Sequence, residues 1–82
     1  MTDRTGVRVD INNADKDGYV RLNCVGTIND LQRLDIVLAD GLPLMAHDGE
    51  IEFRGLVRAP GTEGTWRLEV DWHDIFEKHA LL

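Results

Sequence analysis

The sequence predicts an all-β domain, a small curved meander or barrel of about six short strands, with a short helix after the second strand and another at the C-terminus. Three features lead to this expectation. In residues 49–72, Ile51, Phe53 and Val57 share one parity while Glu52, Arg54 and Arg58 take the other, and Trp66, Leu68, Val70 and Trp72 alternate with Arg67, Glu69 and Asp71. A period of two belongs to half-buried strands, not to a helix. Asp-Gly pairs at 17–18, 40–41 and 48–49 interrupt the chain between apolar runs, and both residue types tolerate the positive φ of a tight hairpin turn. Finally, 82 residues make one domain, spanning 1–82, with a core too small for a two-sheet sandwich.

The elements follow in order. Residues 1–5 are polar and expected to fray. Val7, Val9 and Ile11 alternate with Arg8, Asp10 and Asn12 as a first strand. A turn leads to a second strand over 19–27, where Val20, Leu22, Cys24 and Gly26 share the apolar parity, so the two strands are expected to pair as a hairpin. Thr27 or Asn29 can cap a helix whose Ile28, Leu31 and Leu34 recur every three residues. Strands are expected over 36–39 and 42–47, with Pro43 marking an edge or a bulge. The last hairpin turns through 59–64, where Pro60, Gly61 and Gly64 exclude helix. Setting Arg58 opposite Thr65 places Val57 against Trp66 and Gly55 against Leu68, makes both tryptophans core residues and reads Gly55 as a bend. After the last strand, Trp72, Ile75, Phe76 and Ala80 form a helical stripe. Asp71 and Asp74 lie at its start and Lys78 and His79 near its end, as a helix dipole favours.

Composition narrows the function. A lone cysteine, Cys24, cannot form an internal disulfide, the N-terminus has no signal-like apolar run, and no stretch approaches a membrane span, so a cytoplasmic protein is expected. Fifteen acidic against nine basic residues give a net charge of −6, with the acids scattered along the chain. That balance argues against nucleic acid and leaves protein as the expected partner class. No residue set points to a cofactor.

Four constellations carry possible chemistry. The run 13–24 resembles an EF-hand loop, with oxygen side chains at Asn13, Asp15 and Asp17, Gly18 at the sharp turn and Val20 at the aliphatic position, which makes those three residues a candidate cation loop. Cys24 stands where the bidentate carboxylate belongs, and a polar turn closed by Asp17-Gly18 accounts for the same residues. Arg4 and Arg8, spaced RxxxR, followed by the turn 13–18, resemble the PilZ family. The resemblance implies cyclic di-GMP held by guanidinium groups on phosphates and guanine edges; Asp15 takes the place of that family's serine. Cys24 with His47, His73 and His79 could supply a nucleophile and a base, although a cysteine on an apolar parity is ordinarily a small buried hydrophobe, and His73 and His79 fall on different helix faces. Ile75, Phe76, Leu81 and Leu82 are the candidate partner-binding residues. The function expected is therefore a non-enzymatic interaction or accessory module. The alternative is a small-ligand sensor, PilZ-like or a weak cation-binding barrel, or a small enzyme. A concave pocket holding a buried carboxylate or histidine favours the ligand reading, and a flat apolar patch favours the protein reading.

Overall fold

The computed structural model describes residues 6–81, so the fraying expected of residues 1–5 and the partner-binding candidate Leu82 lie outside the described residues. Five strands, β1 (Val7–Arg8), β2 (Val20–Arg21), β3 (Pro43–His47), β4 (Glu52–Arg58) and β5 (Arg67–Val70), form one sheet that curls into a half-barrel. Helix α1 (Val25–Arg33) follows β2 and helix α2 (Trp72–Ala80) follows β5. The fold is mostly β with two short helices, as expected, but the strand count is five instead of about six.

The order across the sheet is β1-β3-β4-β5-β2, which corrects the expected meander. The first two strands do not pair: β1 lies parallel to β3 through Val7 with Ala46 and Arg8 with His47, while β2 runs antiparallel to β5 at the opposite edge. Alternation identified the buried residues of both strands, Val7, Val9, Val20 and Leu22, because parity fixes which face a side chain takes. It carries no information about the neighbouring strand. Residues 10–19 form a compact set of turns, with the amide of Asn13 donating to Asp10 O (2.9 Å) and that of Gly18 to Asp15 O (3.0 Å).

Two further segments differ from expectation. Residues 36–39 form no strand, because the end of α1 claims Ile36. Asp35 takes φ 56°, its amide donates to Gln32 O (3.1 Å), and the amide of Ile36 donates to Leu31 O (2.9 Å). That is a Schellman closure, with Ile36 and Leu31 both packed on the core. The second strand is shorter than 19–27, since the helix starts two residues ahead of Thr27 with Cys24 as its N-cap. Thr27 is thereby a buried helix residue whose hydroxyl donates to Arg8 O at 2.5 Å, and Asp30 Oδ2 accepts the Arg8 amide at 2.8 Å. These two side chains satisfy the outer backbone groups of Arg8, so α1 closes the β1 edge. At the other edge the Arg21 amide donates to Asn13 O (2.9 Å), and Ala14 bridges Val20.

The main hairpin keeps its faces but shifts its register by two residues. Gly55 lies opposite Val70, Val57 opposite Leu68 and Arg58 opposite Arg67. A slip of two preserves parity, so Phe53 and Val57 stay inside while Glu52, Arg54 and Leu56 stay outside. The slip moves Trp66 and Trp72 off the strand. Both are half-buried at the margin of the core, and Trp72 opens α2, where its Nε1 donates to Gly18 O (2.8 Å) and its ring stacks on Phe76 with centroids 5.8 Å apart. The centre of the core is Val7, Val20, Ala46, Phe53, Val57, Leu68 and Ile75, all 1% exposed or less. Among the described residues no helix is long and apolar enough to cross a membrane.

Gly55 is a packing requirement. A Cβ there would stand 2.6 Å from Leu68 Cγ and 2.7 Å from the backbone oxygen of Glu69, distances that real contacts do not show. Gly55→Ala is expected to cost about 1–3 kcal/mol through overpacking. Urea unfolding of the variant checks this, and an unchanged midpoint would reject the packing of Leu68 over β4.

Candidate functional site

Aspartates anchor two of the turns in the same way. Asp15 Oδ1 accepts the amides of Asp17 (2.9 Å) and Tyr19 (3.0 Å), and its Oδ2 faces Arg67 Nη1 at 3.3 Å. Asp48 Oδ1 accepts the amides of Glu50 and Ile51, both at 3.0 Å, and its Oδ2 faces His79 Nε2 at 2.7 Å. In each case one oxygen sets the turn and the other reaches a distant base.

The candidate cation loop is thus occupied by the protein's own cation. Arg67 Nη1 lies 3.2 Å from Asp17 Oδ2 as well as 3.3 Å from Asp15, Nη2 donates to Ala59 O (3.0 Å), and the guanidinium sits over the Tyr19 ring at 4.9 Å. Asn13 turns elsewhere: its Nδ2 donates to Asn23 Oδ1 (2.8 Å) and Cys24 Sγ (3.5 Å), and its Oδ1 accepts from Arg21 Nη1 (3.2 Å). The three oxygen donors do not converge on one point. A cleft of about 270 Å³ lies beside them, lined by Asp15, Asp17, Glu63 and Arg67 among others.

A larger cleft, of about 480 Å³, opens where the end of β1, the first turn of α1, the β3–β4 turn and the end of α2 meet. Its polar lining is Arg8, Asp10, Cys24, Asp48, Glu50 and His79. Arg8 is seated by two glycines. A Cβ at Gly26, inside α1, would lie 3.3 Å from Arg8 Cγ, and one at Gly49 would lie 2.9 Å from Arg8 Nη1. A helical glycine costs about 1 kcal/mol relative to alanine, and here it makes room for the arginine stem. Among the described residues no carboxylate lies within ion-pair distance of the Arg8 guanidinium. His79 presents both ring nitrogens to acids, Nε2 to Asp48 and Nδ1 to Glu50 Oε2 at 3.5 Å. Asp10 is exposed, and its Oδ1 accepts the Asn12 amide (2.9 Å).

The remaining sequence candidates are dispersed. Ile75 is fully buried, while Phe76 and Leu81 are 63% and 84% exposed. His47 is buried and His73 is exposed on α2, 3.5 Å from Glu77. Cys24 and His79 line the same cleft, but the thiol accepts from Asn13, and the imidazole nitrogens are turned to Asp48 and Glu50. Of the PilZ-like pattern, Arg4 lies outside the described residues, while Arg8 and the 13–18 turn belong to different clefts. Arg8, Asp10, Asp48, Glu50 and His79 share no sequence spacing that would announce them. Arg8, Cys24 and His79 were singled out in the sequence for other combinations, and Gly26, which reads as a strand residue in the linear pattern, becomes a helical glycine in the fold.

Burial alone would raise the Asp48 carboxyl, but the amides of Ile51 and Glu50 and the His79 side chain outweigh it and hold the group below its ordinary value of 3.8. Asp15 behaves likewise: burial raises it, and the amides of Tyr19 and Asp17 with the Arg67 guanidinium bring it below 3.8. A depressed carboxyl stabilises the fold fully above its unfolded value and loses that contribution as pH falls through the lower folded value. Stability is therefore expected to decline below about pH 4, and Asp15→Asn or Asp48→Asn should each flatten that decline. Urea midpoints measured across the acid range check this; parental slopes in both variants would contradict the two anchoring roles. No protein-family model, no curated protein and no solved structure matches this chain.

Proposed function

We propose that this chain is a non-enzymatic binding module that holds a small polar ligand in the 480 Å³ cleft. The volume lies in the range of small-molecule sites, and the cleft is concave and bordered by a few charged groups on three separate segments. The observation that supports the reading best is the seating of Arg8. Its backbone is fastened on both sides by α1, its stem lies over a glycine placed inside a helix, and its guanidinium reaches the cleft without a carboxylate partner among the described residues. An arginine positioned at this structural expense suits recognition of an anionic group, which a planar guanidinium can bind through two parallel hydrogen bonds.

The engagement of Cys24 and His79 with other partners favours binding over catalysis. General-base activation of a thiol needs an imidazole nitrogen within hydrogen-bond reach, whereas His79 Nε2 is held by Asp48 and the Cys24 thiol accepts from Asn13. A second reading, docking of a protein partner, draws support from Phe76, exposed on α2 and stacked on Trp72, and from Leu81, exposed at the end of the helix.

Native mass spectrometry of the chain after incubation with a low-molecular-weight extract of its own cells separates the two. A small-molecule adduct is expected on the parent and on Phe76→Ser, and its loss is expected in Arg8→Ala, whose side chain contributes surface and not core. An adduct retained in Arg8→Ala, or none on the parent while protein capture depends on Phe76 and Leu81, would replace the ligand reading with the protein one.

A further inference from the structure

The charges of the large cleft differ in how far they are already committed. Asp48 is saturated, with one oxygen on two turn amides and the other on His79. Three groups retain capacity among the described residues: the guanidinium of Arg8, the exposed carboxylate of Asp10, which receives one amide, and Glu50, whose side chain is 66% exposed and meets His79 only at 3.5 Å. Among the described residues the cleft therefore offers one cation outside any ion pair and two carboxylates with capacity to spare, brought together from the end of β1, the residues just after it and the β3–β4 turn.

Charge of one sign does not suit this arrangement. A simple anion drawn to Arg8 would stand among three carboxylates on a chain of net charge −6. A simple cation drawn to Asp10 and Glu50 would stand beside an arginine that no described acid neutralises. A molecule carrying both signs answers both groups at once, and each of its charges is repelled less than either would be alone. Building on the reading of the cleft as a ligand site, we infer that the ligand is a small zwitterion of the amino-acid class, with its carboxylate on Arg8 and its ammonium between Asp10 and Glu50. Ile11, half-buried at the cleft wall, leaves a place for a short aliphatic part. The contacts lie in an open cleft and are partly screened, so affinity between about 10 μM and 10 mM is expected.

The test is a titration of the full chain, followed by amide chemical shifts, with L-alanine, N-acetyl-L-alanine and L-alanine amide, each to about 20 mM. The second probe keeps only the carboxylate and the third only the ammonium. Expected are saturable shifts at Arg8, Asp10, Gly26 and Glu50 with L-alanine, and at least about tenfold weaker binding of both blocked forms, which is the loss of one charged contact. Arg8→Ala should bring L-alanine down to the level of its amide, and Glu50→Gln with Asp10→Asn should bring it down to the level of the acetylated form. Blocked forms that bind as well as the free amino acid, or parental saturation in Arg8→Ala, would overturn the inference. So would an absence of shifts with all three probes. If in that case the small-molecule adduct from the cell extract still depends on Arg8, the cleft remains a ligand site for another chemical class; if the adduct is lost as well, both readings fall together.

Discussion

The half-barrel depends on the placement of one guanidinium. Arg67 stands in β5 directly between Arg21 of β2 and Arg58 of β4, so three arginines lie in register across adjacent strands on the outer face. Like charges directly opposite one another destabilise a sheet. The fold offsets this by giving each arginine its own acid: Arg21 pairs with Glu63 at 2.8 Å, Arg58 with Glu69 at 2.7 Å, and Arg67 with Asp15 and Asp17. Arg67 differs from its neighbours in being 15% exposed, with Asp15 at 4%, so this pair alone is largely withdrawn from solvent. Through it β5, the 13–18 turn and the 59–64 loop are held as one body. Four acids of the chain are thereby engaged by these three arginines, in places where the linear sequence shows only scattered acidic residues.

Curvature and edges follow from small residues and side-chain closures. Gly55 lets Leu68 lie against β4 at a distance that any Cβ would forbid, and pairing runs through it without a bulge to β3 and β5 alike. Neither edge offers a free ladder at its central residues: Asp30 and Thr27 hold the backbone of Arg8, and the 13–14 segment covers β2. Binding by strand addition is therefore disfavoured. Clefts and faces are left as the surfaces through which this fold can recognise anything.

The cleft owes its shape to the same devices. Asp48 fixes the β3–β4 turn and, through His79, pins the last turn of α2 to it, while Lys78 Nζ donates to Glu52 O at 2.8 Å on the same helix end. Helix α2 begins as firmly as it ends, because Asp71 accepts the Asp74 amide at its N-terminus and Trp72 reaches Gly18. A helix of nine residues is too short to persist alone, so these contacts and the burial of Ile75 hold it in place. The helix end in turn makes one wall of the cleft.

Local pattern was enough to place the buried faces. The alternation of Val7 with Arg8, Val20 with Arg21 and Phe53 with Arg54, the stripe of Ile75 with the Asp71 cap, and the turn residues at 17–18 and 48–49 are all properties of short segments read alone. They gave a mostly β fold with two helices, and they survived even a two-residue error of register, since parity is unaffected by it. Strand order was beyond their reach, because alternation encodes the face a residue takes and is silent on which strand lies beside it; β1 found β3 only because α1 closed its other side. The run 36–39 carried strand propensity, yet the closure of α1 through Ile36 prevailed. The cleft was the least legible feature of all. Arg8, Asp10, Asp48, Glu50 and His79 come from three separated segments, and only the packing of α1 and α2 against opposite ends of β1 and the β3–β4 turn brings their charges within reach of one ligand.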